Sequence, residues 1–172
     1  MSHEGETDPG PPPDAAGRIL DAVVGAAATL GVLSIVALVC LTVTTVTFRF
    51  LGIAFPGTYV LAELLIIPAV TLSLAYAGWE GAHTRVEILT KLLPRRIARP
   101  LDAAMLALGS AFWGMVAYAG VEEALRRGPQ GERTALLDIP VAPFRWLMVG
   151  AIVLLIVVLL YRAAGTLRGR GA

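Results

Sequence analysis

The sequence predicts an all-α integral membrane protein. It would have four transmembrane helices, a short interfacial helix between the second and third, and both termini on the cytoplasmic side. Three observations carry this. The 172 residues are 56% hydrophobic and 16% charged, with a mean hydropathy of +0.73; a soluble domain would be about 45–50% apolar and about 25% charged. The charges cluster and leave four long gaps, each long enough as a helix to cross the ~30 Å hydrocarbon core of a bilayer. Finally, Lys and Arg collect unequally in the segments between the gaps, and that asymmetry sets orientation.

Residues 1–17, MSHEGETDPGPPPDAAG, are acidic and rich in Pro and Gly. They lack the basic n-region of a secretory signal peptide and read as a disordered cytoplasmic tail. Asp14 stands where it can cap the helix that follows. From 18 to 163 the chain reads as one four-helix transmembrane domain. The first span, about 19–48, has only Asp21 charged and as a helix runs roughly 45 Å, so it tilts or starts among the headgroups. The second, about 58–79, carries Glu63 near its start and Pro68 near its middle. The third, about 101–125, has Asp102 at its entrance and Glu122 and Glu123 near its exit. The fourth, about 143–161, contains the bulky run AIVLLIVVLL. Residues 164–172 form a basic cytoplasmic tail.

With the N-terminus inside, the inner segments hold nine basic residues: Arg18, Arg85, Lys91, Arg95, Arg96, Arg99, Arg162, Arg168 and Arg170. The outer loops hold five: Arg49, Arg126, Arg127, Arg133 and Arg145. The 80–100 loop dominates this difference. Within it, RVEILTKLLPRR places Ile88, Leu89, Leu92 and Leu93 on one helix face, with Arg85, Glu87 and Lys91 away from its centre. This pattern suits a short helix lying in the cytoplasmic interface, ended by Pro94. His83, Arg85, Lys91, Arg95 and Arg96 are the candidates for anchoring it to lipid or to a partner.

Helices in lipid associate through small residues that permit close approach. Ala69, Ser73, Ala77 and Gly81 recur every four residues in the second span and form the expected packing seam. Ala103, Ala107 and Ala111 mark the third span, and Ala22 with Ala26 and Ala27 with Gly31 mark the first. The fourth span is mostly bulky after Gly150 and Ala151, so it is expected to face lipid or a partner's groove.

Catalytic chemistry has no candidates. Cys40 stands alone, which excludes an intramolecular disulfide and a CxxC pair. His3 and His83 lie outside the spans, and no Ser–His–Asp arrangement, HExxH or phosphate loop is present. No cofactor is expected. The net charge of +1 gives no reason to expect a nucleic-acid partner; the bilayer is the expected surroundings. An ionisable residue inside a span is a functional hypothesis by default. Glu63 lies about 7–8 Å along its helix, well short of the midplane where transport sites sit. Three readings stay open for it: a structural ion pair with Arg49 across the tight turn FLGIAFPG, a proton- or ion-binding group, and a contact to another protein.

Several local patterns occur in an order that resembles a known family. An arginine ends the first span in VTFRF, Phe55 and Pro56 follow, and Glu63 comes early in the second span. The passage GWEGAHTRVEILTKLLPRR contributes Gly78, His83, Val86, Glu87, Leu93, Pro94, Arg95 and Arg96. The loop TALLDIPVAPFRW contributes Leu136, Ile139 and Pro140. Over about residues 18–162 the chain resembles the small four-helix membrane subunit (DctQ type) of tripartite ATP-independent periplasmic (TRAP) transporters. It departs from the family at Gly57-Thr58-Tyr59, where an aromatic usually follows the Phe-Pro loop, and at Thr84, where the family tends to have isoleucine. The resemblance implies a bacterial inner-membrane complex with two partners. A large permease subunit would bind the coupling ion, expected to be sodium, and a periplasmic substrate-binding protein would deliver the solute, typically an organic acid. The small subunit would brace the permease, with Leu136, Ile139 and Pro140 as candidate periplasmic loop contacts. The rival classes are a self-contained proton-coupled four-helix exporter using Glu63 and a non-transport membrane adaptor. A large permease gene and a binding-protein gene beside this one would favour the transporter subunit over both.

Overall fold

A computed structural model of the chain describes residues 15–53, 56–80, 95–134 and 136–167. Over these residues the regular structure is helical: α1 (Ala15–Phe50), α2 (Thr58–Glu80), α3 (Arg95–Arg127), a 3₁₀ turn (Gly128–Gln130) and α4 (Ala142–Leu167). All four α-helices contain a span long and apolar enough to cross a membrane. The observed helices outrun the expected spans at most ends. The largest differences are at α4, which runs on to Leu167, and at α3, which begins at Arg95 with Pro100 inside it; the basic end of the 80–100 loop is thus the first turn of the third helix. The expected interfacial helix and the residues Gly81, His83, Arg85 and Lys91 lie outside the described residues.

The helices stand in a row, α1 against α2, α2 against α4, and α4 against α3, with only a light touch between α1 and α4. The fourth span was expected to face lipid or a partner; instead α4 is the centre of the packing. Its Leu155 and Val158 are all but sealed from the surroundings, at 1% and 0% exposure. The main core joins Leu155, Leu159 and Ala163 of α4 to Ala75 of α2 and Leu106 of α3. A second cluster joins Ala27 of α1, Leu72 of α2 and Ala151 of α4. The physical reason is complementarity of size. Large and small residues face each other in both directions: Leu155 and Leu159 of α4 share a cluster with Ala75 of α2, while Ala151 of α4 shares one with Leu72 of α2.

Pro68 is buried within α2, where it removes the amide donor that the Leu64 carbonyl would otherwise use. Thr71 Oγ1 donates to the Ile67 carbonyl at 2.7 Å and Ser73 Oγ to that of Ala69 at 2.5 Å, holding the turn after it. The α1–α2 connection turns on Gly52 and Gly57, whose φ values of 76° and 91° lie in the left-handed region. At Gly57 a Cβ would also fall 3.1 Å from the Leu137 side chain, which crosses over from the α3–α4 connection. Gly57→Ala is therefore expected to destabilise the fold by about 1–3 kcal/mol through backbone strain and crowding. Thermal unfolding of the purified chain measures this, and a melting temperature equal to wild type would refute it. Gly52→Ala, equally strained but with nothing near its Cβ, should cost less.

Candidate functional site

Two regions concentrate polar chemistry: the end where α3 passes into α4, and the surface of α2 that carries Glu63.

The first region is a closed ionic network. Glu123, in the last turns of α3, takes two hydrogen bonds from Arg126, at 2.5 and 3.1 Å, and pairs with Arg127 one helical turn on. Glu132, in the connection, pairs with Arg127 at 3.4 Å and with Arg145 of α4 at 2.7 Å. Arg133 reaches both the carboxylate of Asp138, at 2.7 Å, and its carbonyl, at 3.2 Å. Asp138 takes φ 53°, a left-handed conformation that Asp tolerates better than most residues. Two bonds between Thr134 and Ile139, each 3.0 Å, and a bridge between Arg133 and Pro140 close the hairpin. Between these groups lies a cleft of about 190 Å³ lined by Arg127, Glu132, Arg133, Pro140 and Arg145. Each of these arginines pairs with a carboxylate, Glu123 and Glu132 serving two arginines each, so the arrangement staples the connection to the ends of α3 and α4.

Of the loop residues singled out in the sequence, Leu136 is exposed, Ile139 is half-buried by its bonds to Thr134, and Pro140 lies at the cleft. The residue that crosses to the other connection is Leu137, which sequence reasoning missed. The Glu123–Arg126 and Glu123–Arg127 spacings were a readable signal for part of the network. The pairing of Glu132 with Arg145 was not, because it depends on the fold of the hairpin.

The second region answers the question of Glu63 by direction. Ala69 and Ser73 of α2 lie against α1: a Cβ at Gly31 would be 3.3 Å from Ser73 Oγ and 3.7 Å from the Ala69 carbonyl. At about 100° per residue Glu63 is about 120° round the helix from Ala69, so its carboxylate points away from α1. Arg49 ends α1 and is exposed, as is Glu63. The structure does not bring them together: no ion pair joins Arg49 to Glu63. Glu63 instead falls on an exposed stripe with Tyr59, Ile66 and Val70.

The small-residue seam is realised in part. Ala69 is buried, Ala77 half-buried, and Ser73 exposed although its hydroxyl approaches Gly31. The tightest approach lies elsewhere, at Gly78, where a Cβ would be only 2.5 Å from Leu155 Cδ1. Arg162 of α4 closes the same end of the α2–α4 contact. Its guanidinium donates to the Gly78 carbonyl at 3.1 Å and to the Trp79 carbonyl, and Tyr161 stacks on Trp79 with ring centroids 6.0 Å apart. Arg95 and Arg96 stand in the first turn of α3.

No curated protein matches the chain. The family model described as tripartite ATP-independent periplasmic transporters, DctQ component, matches residues 38–169, which take in the end of α1 and the whole of α2, α3 and α4. The chain therefore belongs to the DctQ family and is the small membrane subunit of a TRAP transporter.

Proposed function

We propose that the chain is a scaffold that braces the large permease subunit in a bacterial inner membrane and carries no transport site of its own. The permease would hold sodium and the solute, the latter an organic acid handed over by a periplasmic binding protein. The observation that supports this is how the hydroxyls of the spans are used. Those of Thr29, Ser34, Thr42, Thr45, Thr47, Thr71, Ser73 and Ser110 each donate to the carbonyl four residues back in their own helix. Such bonds keep a polar group content in lipid without making a site. An ion-coupled carrier needs the opposite, with broken helices and oxygens converging at mid-depth. The rival exporter reading would need Glu63 as its exchanger, but Glu63 lies toward one end of α2 and opens outward.

The test is co-expression with the permease of the same transporter. A tag on this chain should retain the permease through purification, and proteoliposomes should take up solute only with both subunits and the binding protein present. Solute movement by this chain alone would overturn the reading. Orientation is a separate prediction. In a Cys40→Ser background, Gln130→Cys should label with a membrane-impermeant thiol reagent added to intact cells stripped of their outer membrane. Labelling that appears only after the inner membrane is broken would reverse the topology.

A further inference from the structure

We propose that the exposed stripe of α2 formed by Tyr59, Glu63, Ile66 and Val70 is where the large permease docks, and that the permease sets a basic side chain against Glu63 in the outer part of the membrane. The inference rests on the scaffold reading above and goes further, naming the face and its chemistry.

Length arithmetic places the carboxylate. α2 has 23 residues, a rod of about 34 Å, which exceeds the ~30 Å hydrocarbon core by only about 2 Å at each end. Glu63 is about 7–8 Å from the start of that rod, so it lies about 5 Å inside the hydrocarbon. Three other carboxylates on the helices whose side chains are described escape this problem. Asp21 belongs to a helix of 36 residues, about 54 Å long, most of whose excess length lies outside the core. Glu80 is the last residue of α2, and Glu122 stands in the last turns of α3 beside Glu123 and its arginines. Glu63 alone among these sits below the surface on an open face. Lipid chains offer it no donor, so a charge there calls for a partner.

The faces differ in kind. The open side of α3 presents Met105, Leu108, Phe112 and Met115, and that of α4 presents Val153, Val157 and Leu160; acyl chains suit both. The α2 stripe combines apolar residues with one charge. It is therefore complementary to a helix that brings a cation. A second copy of this chain is poorly equipped to supply one. Arg126, Arg127, Arg133 and Arg145 are tied to Glu123, Glu132 and Asp138, and Arg49 stands at a helix end. The permease is the remaining partner within the complex.

The experiment uses the tagged chain co-expressed with the permease, with a photoreactive benzophenone residue at Val70 or, for comparison, at Met115. Illumination should give a chain–permease adduct from Val70 and none from Met115. In parallel, Glu63→Gln should lower permease recovery roughly three- to tenfold and Glu63→Lys more than tenfold. Thermal unfolding of the chain expressed alone should not change with Glu63→Gln, because Glu63 makes no ion pair among the described residues. Capture of the permease from Met115 but not Val70 would overturn the face while leaving the scaffold reading intact. Adducts of two copies of this chain, or of lipid alone, from Val70 would overturn the permease as occupant. Full recovery with Glu63→Lys would overturn the charge pairing. Failure of the unmodified chain to retain the permease would overturn the scaffold reading and this inference together.

Discussion

Leu155→Ala is expected to cost the bundle about 2 kcal/mol, and Gly78→Val a further 1–3 kcal/mol when made alone. Leu155 is 1% exposed and its Cδ1 occupies the place where a Cβ on residue 78 would stand, 2.5 Å from it. In a soluble core Leu→Ala loses both the transfer energy of the removed atoms and the cost of the cavity. In a membrane the separated helices remain in an apolar medium, so the transfer part largely cancels. The cavity part remains, and at about 24 cal/mol per Å³ the loss of three methyl-sized groups gives about 2 kcal/mol. Gly78→Val fails for the opposite reason, because its side chain and Leu155 cannot share the space. The two changes should therefore compensate: Gly78→Val with Leu155→Ala should melt closer to wild type than the sum of the singles allows. Thermal unfolding of the four variants in one detergent measures the cycle. Additive losses would show that Gly78 and Leu155 are not in contact.

This contact also shows where the sequence ran out. The four spans, their approximate ends and the excess of basic residues in the 80–100 loop could be read from composition and from the gaps between charges. Which side of each helix meets which neighbour could not. A helix apolar on every side has no stripe to give its direction, and α2 and α4 are of this kind. Glu63 illustrates the limit: its distance along the helix followed from counting, but whether it faced Arg49 depended on the azimuth set by Ala69 packing on Gly31. The bulk of α4 suggested a lipid-facing helix only because α4 was considered alone. Once Ala75 and Gly78 of α2 and Gly120 of α3 are its neighbours, the same bulk becomes the filling of the bundle; a Cβ at Gly120 would lie 3.2 Å from Val149. By contrast, the α1–α2 turn at Gly57 and the Glu123 pairs at the end of α3 carried readable signals, because turn chemistry and helical spacing are local.

Arg162→Met is expected to destabilise the isolated chain by roughly 2–3 kcal/mol, the scale of hydrogen bonds from a charged donor. The last carbonyls of any helix have no amide partner within it. In α2 this shortage falls at the membrane edge, where a carbonyl left without a donor is costly. Arg162 supplies that donor from α4, giving Gly78 and Trp79 a partner and placing a cation at the negative end of the α2 dipole. Because α2 and α4 enter from the same end of the bundle and run alongside each other, the bond ties the far ends of two helices that no short loop connects. Methionine keeps the length and apolar contacts of the stem but offers no donor. Both bonds come from one nitrogen, Nη1; Arg162→Lys keeps a charged donor but on a shorter, non-planar side chain, so it should fall between Met and wild type. Tyr161→Ala removes the stack on Trp79 without touching the donor and should cost only about 0.5–1.5 kcal/mol. The order of melting temperatures is the test: wild type highest, then Tyr161→Ala and Arg162→Lys, with Arg162→Met lowest. If Arg162→Met melts with wild type, the carbonyls of α2 do not depend on Arg162, and the α2–α4 contact is held by Gly78 and Leu155 without it.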